Sequence, residues 1–155
     1  MVKQNELAPA YWIIILIASV VGIITIFMSW MDISIVGLDA SYNAWDFATE
    51  DVFKDGGLLE NFNAPGKYIP IAIGALSLIE VLLAIRSRNN AGAAMVVGLI
   101  IFVLAIYFYT FVDPVSNGSF FLDRQVGIAV WVSMAVGLVC MIAAAIQSSV
   151  TKSSN

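Results

Sequence analysis

Four uninterrupted apolar runs decide most of what this chain can become. They cover about residues 10–30, 68–85, 91–112 and 126–146, and only the second holds a charged side chain, Glu80. A helix of about 20 apolar residues crosses the roughly 30 Å hydrocarbon core of a bilayer. The expected fold is therefore an all-α membrane protein. It forms a single domain over residues 1–155, a four-transmembrane-helix bundle with outer loops at 31–67 and 113–125. An even number of crossings puts both termini on one side. Composition agrees, since 61% of residues are hydrophobic and 12% charged, against roughly 25% charged in soluble domains. A soluble domain of this size has too little interior to hide so much apolar surface. The excess has to face lipid or another chain.

The first run is too long for the h-region of a signal peptide and no A-x-A site follows it, so it reads as a retained span. Aromatic residues mark the span edges, as amphipathic rings at an interface do: Tyr11 and Trp12, Trp30, Tyr68, Tyr107 and Tyr109. Arg86 and Arg88 lie in the short second connection, with Lys3 and Lys152 in the tails. Lys54, Lys67 and Arg124 are spread over the two long loops. That density places the termini in the cytoplasm of a cell-membrane protein.

Several function classes drop out. The chain has no histidine and a single cysteine, Cys140, inside an apolar run; an intrachain disulfide and a standard zinc site are excluded. No nucleophile motif or phosphate loop is present, so neither an enzyme nor a cofactor is expected. A net charge of −4 offers no footprint for nucleic acid.

The first outer loop is too long for an idle turn and too aromatic for a linker. Asp32-Ile33-Ser34-Ile35 alternates polar and apolar residues, the pattern of a short half-buried strand that Gly37 would end or bulge. From Asn43, a good N-cap, the spacing of Trp45, Ala48, Val52 and Phe53 predicts a short amphipathic helix ended by Gly56-Gly57. Its apolar face either packs on the bundle or docks a neighbouring chain. Seven acidic residues crowd residues 31–67, but calcium-loop spacing is absent, and a solvated acidic surface is the reading. In the second outer loop, Asn117-Gly118 between Val115 and Phe120 predicts a small hairpin. Asn117 also begins an N-x-S sequon, a candidate glycosylation site.

Glu80 is the one ionisable group well inside a span, where a charge costs roughly 2.5–3.5 kcal/mol on insertion scales. It is a candidate ion-coupling carboxylate, able to carry a proton or bind a cation. The structural alternative has it reach toward the headgroups or pair with a base near Arg86, about 9 Å along the helix axis. Small residues recur at helix-packing spacing: Ala129, Ser133 and Gly137 in the fourth run, Ala18 and Gly22 in the first, Ala94 and Gly98 in the third. Such stripes let backbones approach closely, within one bundle or between chains. The candidate oligomer contacts are Trp45, Phe47, Val52 and Phe53 in the loop, with Ala129, Ser133 and Gly137 on the last helix.

With Trp30 at the end of the first helix, then Gly37-Leu38 and Trp45 in a large first loop, the layout resembles the claudin-like tetraspan group. That group places a Trp and a Gly-Leu-Trp stretch comparably. Here six residues separate Leu38 from Trp45, and the group's two loop cysteines are missing, so the resemblance implies topology alone. The run Ala44-Trp45-Asp46-Phe47 and the glycine-bearing Val126-Gly127-Ile128-Ala129-Val130-Trp131 are similar to those of small prokaryotic four-helix membrane proteins. The expected function is a non-enzymatic membrane protein that self-associates laterally to organise or shape membrane or build an array. Its partners would be lipid and further copies of the chain, a homo-oligomer. Two alternatives stand beside it: an accessory subunit among other membrane subunits, and a small ion-coupled transporter or channel using Glu80.

Overall fold

A computed structural model of the chain describes residues 8–35, 38–49, 66–86, 90–112 and 122–153. Helix α1 (Ala8–Ile24) ends in a 3₁₀ turn, Thr25–Phe27. Strands β1 (Met31–Ile35) and β2 (Leu38–Tyr42) follow, then the short helix α2 (Ala44–Thr49). A 3₁₀ turn at Gly66–Tyr68 leads into α3 (Ile69–Arg86). Helix α4 (Ala91–Val112), strand β3 (Leu122–Val126) and helix α5 (Ile128–Ser153) complete the described order.

Among the described residues, four helical segments are long and apolar enough to cross a membrane: Ala10–Phe27, Gly66–Arg86, Ala91–Thr110 and Ile128–Val150. Consecutive helices lie side by side, and α1 closes the ring against α5. Only 28–44% of each span is buried, while large apolar chains such as Ile17, Ile85, Val103 and Ile142 are exposed. An outer surface this apolar is unfavourable in water.

The tightest seam joins α4 to α5. A Cβ on Gly98 would come within 2.8 Å of Met141 N, and one on Gly137 within 2.6 Å of Phe102 N. With no side chain on either glycine, the two backbones touch directly, which is how helices gain contact where solvent gives no drive.

One end of the bundle carries a three-stranded antiparallel sheet in the order β2-β1-β3. Met31 pairs with Tyr42 on one side and Val126 on the other. Alternation in β1 turns Met31 and Ile33 into the core and leaves Asp32 and Ser34 half-buried. Trp30, Phe47 and Phe108 form the centre of that core. The Phe108 ring meets both others edge-on, at 5.3 Å from Trp30 and 5.7 Å from Phe47. The chain leaving α1 also organises the start of α5: Ser29 O accepts from Ala129 N at 2.8 Å, and Trp30 O from Gly127 N at 3.0 Å. Two N–H groups that open the helix are thereby satisfied.

Several sequence expectations need correction. The last stretch of the second outer loop is a strand, β3, and α5 starts at Ile128 rather than 126. The first span leaves α-geometry at Ile24, short of Trp30. Trp12 and Trp30 turn their rings into the protein, 4% and 0% exposed. Asn43 caps α2 reciprocally: its Oδ1 accepts from Trp45 N and Asp46 N, and Asp46 Oδ2 accepts from Asn43 N. The buried face of α2 is Ala44 and Phe47, whereas Trp45 and Ala48 are exposed, a different phase from the one the apolar spacing suggested. Gly37, the end of that helix at Gly56-Gly57, and the hairpin around Asn117 lie outside the described residues.

Candidate functional site

The one carboxyl in the bundle core among the described residues is placed by a stripe along α3. Ile73, Ser77, Glu80 and Ala84 follow the three-and-four spacing of a single helix face, and all are buried. That face meets α1 and, past it, α5. Glu80 is 0% exposed. Its Oε2 lies 3.1 Å from the hydroxyl of Ser19, which is itself 2.6 Å from the carbonyl oxygen of Ile15 one turn back. The Cys140 thiol of α5 sits 3.8 Å from the same hydroxyl and 4.0 Å from Ile15 O. Three helices thus bring a carboxyl, a hydroxyl, a thiol and a backbone carbonyl together. Glu80 Oε1 has no hydrogen-bond partner among the described residues, and neither has the buried indole N–H of Trp12.

Small hydroxyls continue from this cluster toward the sheet end. Ser77 donates to Ile73 O at 2.9 Å, and Thr25 to Gly22 O at 2.6 Å. Ser133 lies 3.4 Å from Thr25 Oγ1. All are fully buried. Gly22 keeps the column tight, since a Cβ there would overlap the Ser77 hydroxyl and sit 3.2 Å from Val136. Each of these hydroxyls has a carbonyl or hydroxyl partner, as buried polar groups require; Glu80 is the member left short.

The Glu80 carboxyl is buried within the bundle and meets no base among the described residues. Ser19 and Ser77 escaped the sequence reading. Their signal was available: Ile15, Ser19 and Gly22, and Ser77, Glu80 and Ala84, share the spacing of the small-residue stripes.

The candidate oligomer contacts divide. Ala129 and Ser133 are 0% exposed and Phe47 is 1%. Gly137 is pressed on α4. These four serve packing within the chain. Trp45 is 62% exposed. Val52, Phe53 and Asn117 lie outside the described residues. Strand β2 is the more open feature, with Leu38 77% exposed and Asp39, Ala40 and Ser41 exposed beside it. One edge of β2 pairs with β1; the other pairs with no described strand. A concavity of about 390 Å³ opens over β1 and β2, lined in part by Asp32, Ser34, Asp39 and Ser41. No group of three or more metal-ligating side chains occurs among the described residues.

No protein-family model matches the chain, and no curated protein or solved structure matches it significantly. The resemblance in loop layout accordingly rests on the residues quoted for it.

Proposed function

We propose that the protein is a non-enzymatic, multi-pass membrane protein that associates laterally with copies of itself, and so organises or shapes membrane or builds an array. It resides in the cell membrane with both termini cytoplasmic and the sheet outside. The observation that carries this reading is the edge of β2. The outer backbone of an edge strand can template pairing with another chain, and native folds commonly blunt such edges with charged side chains, proline or bulges. Leu38-Asp39-Ala40-Ser41 contains neither lysine nor proline and carries one charge, Asp39.

The strand is also self-complementary. Antiparallel pairing of two copies about Ala40 sets Leu38 opposite Tyr42 of the second copy and Asp39 opposite Ser41, so no like charges face each other. Such a twofold contact is isologous and closes as a dimer; a larger array needs a second contact, for which exposed Trp45 and the apolar helix faces are at hand. The helix stripes no longer motivate association, because they are occupied internally.

Particle size and composition after gentle extraction of native membrane test the reading. Homo-oligomers of even copy number are expected. A strict monomer sinks it, and stoichiometric foreign chains move the reading to an accessory subunit. A second reading, ion coupling through Glu80, is favoured by the full burial of that carboxyl away from any described base.

A further inference from the structure

The cluster at Glu80 poses a hydrogen-counting problem. A serine hydroxyl carries one hydrogen. At 2.6 Å from Ile15 O, four residues back on its own helix, the Ser19 hydroxyl makes the back-bond usual for a helical serine. Its hydrogen is then committed, and its lone pairs face outward. Yet Glu80 Oε2 stands 3.1 Å away, inside hydrogen-bond range. Two oxygens presenting only lone pairs repel, so a hydrogen belongs between them, and the carboxyl is its remaining source. Burial argues the same way. A carboxylate accepts through both oxygens, but Oε1 has no hydrogen-bond partner among the described residues, and an ionised group so placed is far costlier than a neutral acid.

No charged partner among the described residues offsets this. Within their described lengths, α1 offers only Tyr11 as a titratable side chain, and α4 only Tyr107 and Tyr109. Helix α5 brings Cys140 against the cluster and carries Lys152 twelve residues further on; α3 itself ends at Arg86, six residues on.

We infer that Glu80 is a proton-binding site built into the junction of α1, α3 and α5. The carboxyl donates its proton to Ser19 Oγ, and Ser19 donates in turn to Ile15 O. This goes beyond self-association and does not depend on it. The junction has two hydrogen-bond states. With the proton bound, the chain runs from Glu80 through Ser19 to Ile15. Once the proton leaves, the Ser19 hydrogen turns to the carboxylate, the Ile15 carbonyl loses that donor, and a charge stands in the core until a proton returns.

The test is infrared difference spectroscopy of the full chain in phosphatidylcholine nanodiscs at neutral pH. The inference expects a protonated-acid carbonyl band that is absent in Glu80→Gln. In Ser19→Ala the band moves to higher frequency, because the acid loses its acceptor. Ser19→Ala removes only a hydroxyl and gives the assignment by itself should Glu80→Gln not fold. Carboxylate bands alone, with no acid band that moves in Ser19→Ala, overturn the inference. If those carboxylate bands respond to replacing sodium by choline, the site binds a cation in place of the proton, and the inference is equally overturned.

Discussion

Adding one methyl group to Gly137 tests the seam that holds α5 to α4. In Gly137→Ala the new Cβ would stand 2.6 Å from Phe102 N and 2.8 Å from Gly98 O, whereas ordinary contact begins at 3.4 Å. The shortfall is 3.4 − 2.6 = 0.8 Å, and both obstacles are backbone, so no rotamer change relieves it. The helices must part by about that distance. A gap of roughly 0.5–1 Å forfeits a quarter to a half of the dispersion attraction between facing atoms, and overpacking of this kind costs about 1–3 kcal/mol. Gly92→Ala is the built-in contrast, because its Cβ would meet nothing within 4 Å. There the better helix propensity of alanine makes the change neutral to about 1 kcal/mol stabilising. The assay is unfolding in mixed detergent and SDS micelles, followed by tryptophan fluorescence. Equal stability of Gly137→Ala and wild type would refute the direct backbone seam. So would a loss in Gly92→Ala as large as that in Gly137→Ala.

Trp30→Phe keeps an aromatic ring beside Phe108 but removes the indole N–H that donates to Thr25 O at 2.7 Å. Thr25 O keeps its bond from Met28 N at 3.1 Å, so the lost indole bond should cost about 0.5–1.5 kcal/mol, read in the same unfolding assay. Asn43→Ala deletes the acceptor for two α2 N–H groups and should cost about 1 kcal/mol. That loss should appear as faster amide exchange over Ala44–Thr49 while exchange in α3 to α5 stays unchanged.

How much of this was legible in the sequence varies by element. The four long helices follow from runs long and apolar enough to cross a membrane. The strand at Asp32–Ile35 follows from its alternation, and the start of α2 from Asn43. By contrast, β3 is set by a partner far away in the chain. Leu122-Asp123-Arg124-Gln125-Val126 has three polar residues in its middle and no strand pattern of its own, and it pairs because β1 lies beside the start of α5. The phase of α2 was misread because Trp45 is the larger apolar residue, while Phe47 is the one that packs edge-on against Phe108. Trp30 has the position of an interfacial ring; only the hydrogen bond to Thr25 and the Phe108 contact distinguish core from interface. Small-residue stripes look alike whether they pack inside a chain or between chains, so Ala129, Ser133 and Gly137 needed coordinates. Glu80 stood out by charge alone, whereas Ser19 and Cys140 acquire meaning only where three helices meet.

Self-association through β2 is the central claim, and a cysteine at Ala40 tests it most directly. In antiparallel pairing about that residue the two Cα atoms lie roughly 4.5–5.5 Å apart, inside the roughly 4.4–6.8 Å that a disulfide spans. Native Cys140 is buried in the bundle, so the wild type serves as background. Ser34→Cys, on the central strand β1, serves as the control for random collision. Mild oxidation of native membranes should link Ala40→Cys into a dimer and leave Ser34→Cys monomeric. If Ala40→Cys stays monomeric, or both variants cross-link alike, β2 is not the contact between copies.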